Sequence, residues 1–267
     1  MTRLFFSNCI FAQRTLVALL AIAMIFSSCK KDDDEEDDDT NNNNNNQTQV
    51  TEPNTTPEFN DGDAILVALK STSFTQTMGM NIPTEIGLAV GAFTEATGSA
   101  TLVDAGTITC EGKTLTKNDN NSYVFTAGVA DPTGIAFSDN VAWEVSGNSG
   151  NGISAISTTV SIGWPEMSPI QGDPTTVSTS SDFTLATTDA IQNADSVIFA
   201  VIGTGGEKLV TKAGTESSHT FSASDISGIT GTGYVQIVAY KFMTSTEGSK
   251  NVYFVNEAVV SNMVTFE

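Results

Sequence analysis

Histidine occurs once in this chain, tryptophan twice and cysteine three times. General acid–base chemistry near neutral pH leans on histidine, so any such role would fall on His219 alone. One histidine and one thiol in the body of the chain cannot assemble the usual zinc ligand sets. No G-x-S-x-G elbow accompanies His219, which argues against a serine–histidine triad. Cys9 and Cys29 lie near the N-terminus, leaving Cys110 without an internal partner. The body is therefore no disulfide scaffold and must be held by buried apolar surface. Basic residues are scarce, 11 Lys and Arg against 31 Asp and Glu, for a net charge of −20. Such a chain repels phosphate backbones, so nucleic acid and anionic lipid are poor partners. Phosphate-cradling loops are missing too, because IGTGGEK (202–208) has neither the Walker spacing nor Ser or Thr after its lysine.

Long apolar runs are limited to one, LVALLAIAMIF from Leu16 to Phe26. A spanning helix needs roughly 20 apolar residues, so this run is too short for a stable crossing. It follows a head carrying Arg3 and Arg14 and precedes the small pair Ser27 and Ser28. That order predicts a secretory leader over residues 1–28. Phe26-Ser27-Ser28-Cys29 resembles the lipobox of bacterial lipoproteins. The resemblance implies cleavage before Cys29 and acylation of Cys29, and several acyl chains on one residue anchor stably where a single chain does not. Lys30 and Lys31, followed by Asp32, Asp33, Asp34 and further acids to Asp39, are similar to the export signal of surface lipoproteins in the Bacteroidota. That likeness implies display on the outer leaflet of the outer membrane. Asn41 to Asn46 and a polar stretch with two prolines extend the segment. Without apolar periodicity it cannot offset the entropy of ordering, so residues 29–59 are expected to form a charged stalk.

Beyond Asn60 the texture changes to short runs rich in Val, Ile, Thr, Phe and Tyr, broken by Gly, Asn, Asp and Ser. AILVALK (64–70), IGLAVGAF (86–93), VAWEV (141–145), SVIFAVIG (196–203), YVQIVAYKF (234–242), NVYFVNE (251–257) and VVSNMVTFE (259–267) stand out as strands. Their spacing predicts an all-β fold of antiparallel sandwiches. GWPEMSPIQGDP holds three of the seven prolines and predicts a linker over 164–174. The expectation is thus two tandem immunoglobulin-like domains, 60–163 and 175–267. The approach to Tyr234 loosely resembles the sixth strand of immunoglobulin or fibronectin type III domains.

Candidate functional residues are few. Cys110 alternates with Ile108 and is expected in the core, and His219 shares a strand face with Phe221 as a structural histidine. Trp164, beside Pro165 at the junction, is the candidate ligand-binding aromatic. Asp119 and Asn121 lie in a polar loop and are weak candidates for a metal. No cofactor is expected. The reading is a non-enzymatic surface lipoprotein, attached to the membrane through lipid on Cys29 and binding a protein or polysaccharide. One alternative is an accessory glycan-binding subunit for nutrient uptake. Another is a hydrolase using two carboxylates across a glycosidic bond, which needs no histidine.

Overall fold

The computed structural model describes residues 61–77 and 80–267, with the side chains of 75–81 left aside. The leader, Cys29, Lys30, Lys31, Asp32, Asp33, Asp34 and the rest of the stalk lie outside the described residues. The described body is all-β, as the alternating runs predict. Its first half holds β1 (Ala64–Thr77), β2 (Met80–Phe93), β3 (Ile108–Cys110), β4 (Lys113–Thr114), β5 (Thr116–Lys117), β6 (Tyr123–Phe125), β7 (Val141–Val145) and β8 (Ile156–Val160). The second half holds β9 (Thr176–Val177), β10 (Phe183–Ala186), β11 (Ser196–Gly203), β12 (Gly206–Ala213) and β13 (Ser218–Phe221). After these come the single-turn helix α1 (Ala223–Ile226), β14 (Gly231–Glu247) and β15 (Lys250–Phe266).

One large sheet runs in the order β12-β11-β14-β15-β1-β2-β6-β5, with β9 beside the end of β15. Its centre is two long hairpins. β1 and β2 pair from Ala64↔Phe93 to Thr77↔Met80, and β14 and β15 pair from Gly231↔Phe266 to Glu247↔Lys250. The hairpins join through a parallel contact between β1 and β15, Ala64↔Val252 to Thr72↔Val260. The start of that seam is locked by Asp63, whose carboxylate accepts from the Asn251 amide at 2.9 Å and from the Thr97 hydroxyl at 2.8 Å. Lys250, almost fully buried beside it, donates to the carbonyls of Thr94 and Glu95.

Strand residues alternate between faces, so the sheet has two distinct sides. On one side lie Leu66, Ala68 and Phe254, packed with Ile108, Cys110, Val141, Trp143 and Val160 from the sheet β4-β3-β7-β8. Further along the same side lie Phe199, Ile237 and Val260, packed with Leu185, Phe221 and Ile226 from the β10–β13 pair and α1. These are two hydrophobic cores on one shared sheet. The segment 164–174 falls between the cores, but the sheet is not divided there, because β15 carries Val252 and Phe254 into one core and Val260 and Val264 into the other. The sequence suggested two strands over 251–257 and 259–267; the structure has a single uninterrupted one. Tyr234, which carried the immunoglobulin-like resemblance, is half-buried in β14 and opposes Met263 and Ile202.

Backbone conformation explains two local features. Glu111 and Gly112 both take positive φ, 49° and 69°, in the two-residue hairpin between β3 and β4. Gly87 touches the loop at Gly134 and Ile135 so closely that a Cβ on Gly87 would stand 1.8 Å from the Ile135 carbonyl oxygen. The run GIAF (134–137) is accordingly no regular strand but an isolated bridge, with the Ile135 amide donating to Gly87.

Candidate functional site

The segment 163–167 crosses the shared sheet on its core-bearing side and is fixed there by hydrogen bonds. Asn256, on the floor, donates to the Gly163 carbonyl at 2.7 Å, and Asn193 donates to the Trp164 carbonyl at 3.0 Å. Glu166 and Gln192 exchange backbone bonds at 3.0 and 3.1 Å. Beside this crossing lies a cleft of about 380 Å³. β1 contributes Lys70 and Thr72, β15 contributes Ala258 and Val260, and β2 contributes Glu85. Asp139 and the run Trp164 to Met167 complete it. One ammonium and three carboxylates thus face a space walled by residues flanking both cores.

Trp164 is in the cleft, but its ring is 7 % exposed. Its Nε1 donates to the Ser138 carbonyl at 2.7 Å, Phe137 packs at 5.0 Å between centroids, and the Lys70 ammonium sits over the ring at 4.4 Å. Lys70 also approaches Glu85 at 3.9 Å. A sugar ring would have to displace Lys70 to stack on this indole.

The other sequence candidates are placed elsewhere. His219 sits between Phe199 and Phe221, with ring centroids 6.1 and 4.6 Å away. Burial, followed by the charge of Lys212, holds its pKa below the ordinary value, so it is neutral at physiological pH. Cys110 is fully buried and burial pushes its thiol far up, which leaves it inert. Asp119 is exposed on a turn closed by its own bonds, Asn118 amide to Ser122 carbonyl and Ser122 amide to the Asn120 side chain. Asn121 takes φ 63° and donates its side-chain amide to Leu102. Among the described residues no group of three or more His, Cys, Asp or Glu could hold a metal.

The opposite side of the sheet carries a feature that the sequence reading missed. Ile65, Val67, Leu69, Leu88, Val90, Val238, Val255 and Val259 are buried there, yet belong to neither core. Both small sheets lie on the other side. In the middle of this apolar field three polar residues stand opposite one another on adjacent strands, Ser196 on β11, Tyr240 on β14 and Glu257 on β15. Ser196 Oγ, the Tyr240 hydroxyl and both Glu257 oxygens are buried and find no hydrogen-bond partner, as does Gln236 Oε1 farther along β14. Burial pushes the Glu257 carboxyl up to about 8, and the Tyr240 phenol rises well above its usual value. The signal was present in NVYFVNEAVV, where an acid takes the place of an apolar residue in the alternation Tyr253, Val255, Glu257, Val259.

No protein-family model matches the chain, and no curated protein matches it either.

Proposed function

We propose that the chain is a lipoprotein of an outer membrane, held by acyl chains on Cys29 and displayed at the cell surface, whose all-β body binds a polar ligand without converting it. The observation that carries the binding reading is the cleft beside Trp164. Its volume falls within the range of small-ligand pockets. Its Lys70, Glu85, Asp139 and Glu166 offer one charged donor and several acceptors, a set suited to hydroxyl-rich polysaccharide or to the polar side chains of a protein loop. Lys70 over the indole makes this a hydrogen-bonding cleft and not an open aromatic platform. The anchor reading is supported by Phe26-Ser27-Ser28-Cys29 and the lysine-plus-acid run after it. The test pairs two variants: Cys29→Ser should release the protein from cell envelopes, and Asp139→Asn with Glu166→Gln should abolish binding across a polysaccharide and surface-protein panel. Binding unchanged in the double variant would remove the cleft from the account.

A second reading is favoured by one observation. Glu85, Asp139 and Glu166 share that cleft, as a two-carboxylate glycoside hydrolase requires of its acid and its nucleophile or base. Release of reducing ends from a bound polysaccharide, lost in the same double variant, would establish it.

A further inference from the structure

We infer that the cleft beside Trp164 is a docking site for a basic segment of a partner protein, whose arginine or lysine side chain enters where the Lys70 side chain lies. The inference deepens the binding reading above and rests on it. Lys70 leaves β1 opposite Ala258, and its ammonium reaches the Trp164 ring at 4.4 Å and Glu85 at 3.9 Å. The cleft thus already holds one alkyl stem with a cationic head, supplied by the chain itself. Ala258, Val260, Pro165 and Met167 give such a stem an apolar wall. A neutral sugar brings no cation to the indole face. An amine fixed directly to a sugar ring has no stem to follow this path.

Charge sets the sign of the partner. Glu85, Asp139 and Glu166 line the cleft against Lys70 alone, and all three are exposed. Lysine–carboxylate pairs in the described body fall on Asp63, Glu85, Asp104, Asp131, Asp195 and Asp225. Asp139 and Glu166 are not among them, so their charge is open to a cation from outside. Asp139 is also held in place from both sides. Trp164 Nε1 donates to the Ser138 carbonyl at 2.7 Å, and the Ser138 hydroxyl donates to the Asn140 carbonyl at 2.8 Å. A guanidinium suits this set better than an ammonium, because its plane stacks on an indole while its N–H groups reach more than one carboxylate. At longer range the net charge of −20 draws basic partners and repels a second copy of the chain.

Lys70 is then a built-in competitor. An incoming guanidinium takes the indole face as Lys70 swings off it. Removing the Lys70 charge clears the ring and leaves the three carboxylates unopposed. A ligand that needed Lys70 as its donor would respond with the opposite sign.

The test uses the purified full-length protein in mild detergent, titrated calorimetrically with an arginine-bearing Gly/Ser peptide. The control is the same peptide carrying citrulline, the uncharged isostere of arginine. The arginine peptide should bind about ten-fold more tightly, by a margin that shrinks as salt is raised. Asp139→Asn with Glu166→Gln should erase that margin. Lys70→Met should raise affinity for the arginine peptide several-fold, a gain that misfolding cannot produce. Equal affinity for the two peptides, an arginine preference that survives the double variant, or weaker binding by Lys70→Met would overturn the assignment. Neutral polysaccharides titrated alongside separate the two levels of the reading. A polysaccharide that binds, is lost in the double variant and meets no arginine preference would leave the cleft a binding site and remove only the basic partner.

Discussion

The ammonium of Lys70 stands 4.4 Å from the centre of the Trp164 ring, on the side of the sheet that carries both cores. This contact roofs the indole and sets the character of the cleft. Lys70→Ala removes the roof and the cation–π attraction together, and should lower stability by about 1 kcal/mol. Acrylamide quenching of Trp164 fluorescence should rise, while fully buried Trp143 supplies an unquenched baseline. Unchanged quenching would mean that Phe137 and Ser138 alone shield the ring.

Because β15 serves both cores, damage in one should be felt in the other. Leu66→Ala empties a fully buried site in the first core, at a cost of about 2–5 kcal/mol. Hydrogen exchange in β11, which belongs to the second core, should accelerate in step with the loss of tryptophan fluorescence. A β11 that keeps its protection would show the two cores to be independent.

Glu257 makes stability fall as pH rises. Its carboxyl titrates near 4.5 when unfolded and near 8 when folded, so the folded state binds the extra proton between those values. Its contribution is full below about pH 4.5, declines through the interval and levels off above about pH 8, a loss on the order of a few kcal/mol. Urea midpoints of the wild type at about pH 5 and about pH 8 should differ by this component, and Glu257→Gln should lack it.

Asp104 acts in the opposite direction. It accepts from Lys117 at 2.7 Å, from the Tyr123 hydroxyl at 2.7 Å and from the Gly106 amide, and these bonds hold its carboxyl at about 2. Its contribution is present above pH 3.8 and is lost as pH falls toward 2. Asp104→Asn should flatten the acid limb of the unfolding curve over that window. An acid limb identical to wild type would assign it to other carboxylates, such as Asp225.

Gly87→Ala should destabilise by about 2–3 kcal/mol, since the new methyl meets a backbone oxygen that has no rotamer to adopt. Thermal unfolding measures this directly. Gly112→Ala places its Cβ in open space and strains only φ, so it should cost less.

Most strands were legible because their period-two pattern is strong. AILVALK, VAWEV and SVIFAVIG are found as β1, β7 and β11, and SVIFAVIG matches its strand to the residue. What the sequence hid was pairing over distance. Nothing local in Ala64–Thr72 states that its neighbour is Val252–Val260, because a parallel seam leaves no turn between its strands. The segment 164–174 supplies Trp164 to one core and Ile170 to the other, while β15 runs uninterrupted past both. Trp164 was singled out and does line the cleft, whereas Lys70, Glu85, Asp139 and Glu166 come from four separate stretches and share no spacing. Glu257 was legible in principle as an acid in an aliphatic alternation; splitting the strand at that residue concealed it.

If the chain is exported as the proposed lipoprotein, the seam between β1 and β15 bears on that passage. The strand that must lie beside Ala64–Thr72 is the last of the described elements to leave a ribosome or a translocation pore. Until it arrives, the first hairpin has one open edge and the first core lacks Val252 and Phe254. Threading through a pore would demand a slack polymer, and a seam whose opening strand waits for its distant partner would stay unpaired until that partner had crossed.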